Sequence, residues 1–131
     1  MNFQQLADAI DPSISLIVED LFCEPDSDGN EQIYYDVTMN LADGSYIHFA
    51  LYPHLNKLNF LGMEASSSGL LTHMCEVMPP WARANNIAKF VISGPQDATR
   101  VAFETIGFAG NPLSLDVSQD PCLAEQYFQN K

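Results

Sequence analysis

Apolar residues first recur at helical spacing. Phe3, Leu6, Ala7 and Ile10 fall on one face of a short helix over Asn2 to Ile10. Asp11-Pro12 then reads as an N-cap followed by proline in a first turn, with Ile14, Ile17, Val18 and Leu21 behind it at helical spacing. The same stretch alternates as Ile14, Leu16 and Val18, as a strand would. The start signal favours a helix over residues 12–23. Glu24-Pro25-Asp26-Ser27-Asp28-Gly29-Asn30-Glu31 is a polar loop with turn chemistry throughout.

From Gln32 the period changes to two. Ile33 to Met39 is rich in strand formers, Ala42-Asp43-Gly44-Ser45 carries the Asp-Gly hairpin signal, and Tyr46 to Tyr52 returns as a second strand. Lys57 to Ala65 reads as a third, so a meander of three antiparallel strands is expected. A long helix follows, with Leu70, Leu71, Met74, Val77, Met78 and Trp81 on one stripe. Pro79-Pro80 should break or kink it, because proline lacks the backbone donor and clashes with the preceding turn. Lys89 to Ser93 reads as a short buried strand. Pro95 to Ile106 reads as a helix with Ala98, Val101, Ala102 and Ile106 inward, ended by Gly107. Leu113 to Val117 is a last strand before a polar end.

A chain of 131 residues with 47% hydrophobic content is one ordinary domain with one core, expected over residues 1–131. No stretch has the length and apolarity of a membrane span, and the first residues lack the pattern of a secretion signal, so a cytoplasmic protein is expected. Cys23, Cys75 and Cys122 are too widely spaced for a metal pattern or a disulfide framework. Asp26, Asp28 and Asn30 alternate like calcium ligands, but the glycine arrives too early, at Gly29, for an EF-hand loop. No metal site is expected.

Charge changes the picture. Seventeen acids oppose five bases, a formal net charge of −12. Residues 1–56 hold ten of the acids and no lysine or arginine; residues 57–131 hold the other seven and all five bases. Such a field repels nucleic acid and acidic membranes and attracts basic protein surfaces. Five scattered bases form no phosphate-tracking stripe.

The order of three strands, helix, strand and helix resembles the GNAT superfamily of N-acetyltransferases over residues 32–108. The resemblance rests on Phe103-Glu104-Thr105-Ile106-Gly107-Phe108, on Ser68-Gly69-Leu70-Leu71 opening the long helix, and on Trp81-Ala82-Arg83 before Asn85-Asn86-Ile87. It implies an α+β fold, a central, mainly antiparallel sheet with helices on both faces. It also implies an acetyl-CoA pyrophosphate lying on backbone amides at the start of the long helix. Here that stretch is Glu64-Ala65-Ser66-Ser67-Ser68-Gly69, which keeps one glycine and whose serines also suit helix capping. Many members protonate the departing thiolate with a tyrosine at the position of Phe103, and a phenyl ring has no proton to give. Glu64 stands where the resemblance implies a base, with His48 and His54 as substitutes.

The leading expectation is a degenerate GNAT-like domain that works by protein contact without a cofactor. Glu19, Asp20, Glu24, Asp26, Asp28 and Glu31 would meet a basic surface, such as a nucleic-acid-binding site that the chain covers as a decoy or inhibitor. The alternative is an active acetyl-CoA-dependent N-acetyltransferase on an amine or lysine, with Ser67, Ser68 and Gly69 at the pyrophosphate and Glu64 as base. A second alternative is a structural or assembly subunit.

Overall fold

The computed structural model describes residues 2–23, 25, 27–30, 32–65, 69–93 and 97–130. The first helix forms as its pattern predicts: α1 (Phe3–Ile10) buries Phe3, Leu6, Ala7 and Ile10, and the Asn2 side chain caps it by accepting from the Gln5 N–H at 2.9 Å. Asp11 closes this helix instead of opening another. Its N–H donates to the Ala7 carbonyl, and its carboxylate accepts from the Ser13 N–H at 2.8 Å, a local turn. The expected second helix is therefore a strand, β1 (Ser15–Cys23), paired with β2 (Gln32–Asn40) through all nine residues. Both periods fitted the segment, and the available partner strand decided between them.

β3 (Tyr46–Tyr52) follows the Asp-Gly turn, where Gly44 has φ +91°. A single 3₁₀ turn over Pro53–Leu55 leads to β4 (Lys57–Glu64), and α2 (Gly69–Ala84) crosses to β5 (Lys89–Ile92), which lies parallel to β4. α3 (Asp97–Thr105), β6 (Leu113–Asp116) and α4 (Leu123–Gln129) complete the chain. The result is an α+β fold: one mixed, mainly antiparallel six-stranded sheet in the order β1 to β6, with helices on both faces. The meander has four strands, one more than expected, because β1 joins it.

Val37, Met39, Ile47, Phe49, Leu51 and Leu58 form the centre of the core under α1 and α2, where the Phe3 ring packs against Tyr35, Phe49 and Trp81. Pro79 and Pro80 lie inside α2 and do not end it. Its inner face stays packed on both sides of them, through Met74, Cys75, Met78, Pro79 and Ala82. The helix ends five residues after Pro79 in a Schellman motif, with Asn86 left-handed at φ 61° and the Ile87 N–H bonded to the Ala82 carbonyl at 2.8 Å.

Two further expectations are corrected. Ile106 is buried as expected, but Val101 and Ala102 of α3 face outward and Phe103 takes the inward place, packed on Phe108, because the bulkier side chain takes the core; the Ala98 side chain lies outside the described residues. The expected polar end contains α4, anchored by a capping box of Cys122 and Glu125 and by Arg83. Among the described residues no helix is long and apolar enough to cross a membrane.

Candidate functional sites

β4 pairs with β5 only from Lys57 to Phe60. Beyond that point the register with β3 slips: His48 lies opposite Gly62 and Phe49 opposite Phe60, so Leu61 is an extra residue in β4. Among the described residues the strand continues to Glu64 bound to β3 alone. A cleft of about 470 Å³ opens where β5 no longer follows it, walled by Tyr46, Phe60, Gly62, Met63, Glu64, Ser93, Thr99 and Phe103 among others. The Tyr46 ring lies over Gly62. A Cβ there would meet the ring at 3.3 Å and the phenol oxygen at 3.4 Å, so glycine is what lets the tyrosine lie flat across the strand.

Glu64 is exposed at the rim, opposite Tyr46 in register. Phe103 is buried in the opposite wall, edge-on to Phe108 at 5.2 Å. The sequence-predicted base and the residue at the tyrosine position therefore share one cleft. Tyr46, one of a set of strand tyrosines (Tyr34, Tyr35, Tyr46 and Tyr52) that could line a partner-binding face, lines this cleft together with Ser93 and Thr99; the strand register that gathers them is not visible in a linear pattern. Gly69 does not line this cleft. It opens α2 beside a separate depression with Asp11, Asp43, His73 and Glu76, and Ser67 and Ser68 lie outside the described residues. A Cβ at Gly69 would meet nothing within 4 Å.

The two histidines that could substitute as bases are placed differently. His48 Nε2 lies 2.9 Å from Asp36 Oδ1, a half-buried pair across β2 and β3. His54 is exposed and packs edge-on to Tyr52, which stacks on Tyr34 at 5.1 Å and lies under the Lys57 ammonium at 5.3 Å. The thiols offer no nucleophile among the described side chains. Burial pushes Cys75 up to about 12 and raises Cys122 as well.

The acidic half forms a second candidate surface. Glu19 and Asp20 sit in the middle of β1, on opposite faces of the sheet. Glu19 is opposite Asp36, and Asp20 is opposite Tyr35 on the face that α1 covers farther along. Asp28 is exposed in the turn between β1 and β2, while Glu24, Asp26 and Glu31 lie outside the described residues. Large apolar side chains stand among these acids. Phe22 is 68% exposed and pairs with Ile33 past the reach of α1; Ile17 is 51% exposed and Val18 39%. In the expected helix over residues 12–23, Ile17 and Val18 would share one apolar face with Ile14 and Leu21. As a strand at the sheet's edge, the segment turns them to solvent.

No family model matches the chain, and no curated protein or solved structure matches it significantly.

Proposed function

We propose that this chain acts by protein–protein contact, its acidic β1–β2 hairpin covering a basic surface of the kind that binds nucleic acid. The observation that supports this most directly is the coincidence of exposed Ile17, Val18, Phe22 and Ile33 with a half of the chain that holds no lysine or arginine. Apolar anchors rimmed by charge of one sign suit a partner of the opposite sign: burial supplies affinity, while the charges steer and select. Glu19, Asp20 and Asp28 supply the described part of that rim; Glu24, Asp26 and Glu31 extend it in sequence. The GNAT-like architecture is, in this reading, a scaffold that presents the hairpin, and the chain works without a cofactor in the cytoplasm. Changing Glu19, Asp20, Glu24, Asp26, Asp28 and Glu31 to their amides should weaken capture of a basic DNA-binding domain and flatten its salt dependence. Unchanged capture would sink the proposal.

A second reading is favoured by the cleft between β4 and β5: a GNAT-type N-acetyltransferase, with Glu64 as base on an amine or lysine. The size of the cleft and the unpaired end of β4 suit an extended acyl carrier. The phosphates of acetyl-CoA fit less well, since no described lining residue is a lysine or arginine. Ser67, Ser68 and Gly69 would have to hold them by backbone and hydroxyl groups. Calorimetric titration with acetyl-CoA separates the readings. Micromolar binding, lost in Gly69→Trp, would favour the enzyme, and the open space at Gly69 makes that variant a test of ligand approach more than of folding.

A further inference from the structure

β1 is the free edge of the sheet. Along an antiparallel pair, alternate residues exchange their backbone bonds with the neighbour and the others turn their N–H and C=O outward. β1 is paired with β2 over nine residues with no register shift, so its outer side is a straight template ~30 Å long. Natural edges are blunted by short length, charge, proline, bulges or a covering segment. The opposite edge uses two such devices: β6 has four residues, and both the N–H and the C=O of its Ser114 are bonded to Ala109, at 2.9 and 3.0 Å. β1 contains no proline, lysine or bulge, and among the described residues nothing covers its outer side. Only Glu19 and Asp20 guard it.

Those two charges select the occupant. Adjacent residues of a strand point to opposite faces, so Glu19 and Asp20 present one carboxylate on each side of the edge. A second copy of the chain paired antiparallel about this point would bring like carboxylates together on both faces, two on each, which is repulsive. An incoming strand with two adjacent basic residues would satisfy both faces at once. The apolar residues beside that pair would meet Val18 and Phe22 on one face and Ile17 on the other, all of them exposed.

We propose that β1 takes up an extended segment of a partner protein as a seventh strand, the segment carrying two adjacent basic residues flanked by apolar ones. This rests on the proposed contact with a basic partner and specifies its geometry: main-chain bonds give affinity, while the acids and apolar side chains set the sequence preference.

The test uses the full chain and three twelve-residue synthetic peptides in a Val/Ile/Thr background. One has a central Lys-Lys, one the same sequence with alternate backbone nitrogens methylated, and one a central Glu-Glu. A folded basic DNA-binding domain serves as a fourth probe. The Lys-Lys peptide should bind at least tenfold more tightly than either other peptide and slow amide exchange at alternate residues of β1. The charge-reversed variant Glu19→Lys/Asp20→Lys should prefer the Glu-Glu peptide. Equal binding of the methylated and unmethylated Lys-Lys peptides overturns strand addition. So does failure of all three peptides while the folded basic domain still binds in a salt-sensitive way, and that result leaves the broader reading standing. Failure of every probe overturns both. Concentration-dependent dimerisation that protects β1 amides would identify a second copy as the occupant and overturn the proposal.

Discussion

Single side chains account for much of how the C-terminal part is held. Arg83, near the end of α2, grips Glu125 with two bonds of 2.7 and 3.0 Å and also reaches the carbonyls of Val117 and Gln119. Burial alone would raise the Glu125 carboxyl, but the Arg83 guanidinium and the Cys122 N–H outweigh it and hold it below its ordinary value. Arg83→Leu leaves that carboxylate buried without its partner and should cost about 2–4 kcal/mol in urea unfolding with an unchanged slope. A depressed carboxyl contributes stability that is present above the unfolded value of 4.5 and is lost as pH falls through the lower folded value. Stability should therefore drop below about pH 4.5, and less so in Glu125→Gln, as read by thermal unfolding between pH 3 and 6. With Cys75 pushed up to about 12, its thiol stays protonated at pH 8 and should resist a thiol reagent until the protein is unfolded. Rapid native labelling of Cys75, located by mass spectrometry, would contradict this.

At the level of elements, α2 runs against its own local preference. Two prolines in a helix interior are each unfavourable by about 3 kcal/mol against alanine, yet the helix continues to Ala84 because its buried stripe spans them. Pro80 is exposed and adds no core packing. Pro80→Ala should raise stability by about 2 kcal/mol, the helical gain less the entropy returned to the unfolded chain, and calorimetry would show it as a higher Tm. Pro79 is buried, so the same change there loses contacts as well. α1, β2, β3, β4 and β5 were legible from period and turn chemistry, since each obeys a local rule without conflict. β1 was not, because Ile14 to Leu21 satisfies two periods and Asp11 suits either a cap or a turn. α4 was hidden by a cysteine at its N-cap, where serine or aspartate would have announced it.

For the whole molecule the decisive property is where charge and shape coincide. The six-fold amide variant of the acidic residues should lower affinity for a basic DNA-binding domain at least tenfold at low salt, and the gap should narrow as ionic strength rises. Surface plasmon resonance at several salt concentrations would reveal it mainly as a slower association rate. The two candidate sites differ in how far they could be read. Glu64 and Phe103 were named from the sequence, and the fold brings both to one cleft. The extra residue Leu61 that helps open the cleft has no linear signature, because a bulge is defined only against a partner strand.

The chain by itself determined its class: the hydrophobic periods, the Asp-Gly turn and the one-sided charge are local properties that survive without any partner. Only tertiary structure decided that residues 15–23 are an edge strand, and with that, which apolar residues face solvent. Strand pairing is non-local, so a segment compatible with two periods takes the one its neighbour can bond. Within the acidic first half, β1 and β2 thereby form a hairpin with Phe22 and Ile33 at its exposed end, where a helix followed by a strand was expected.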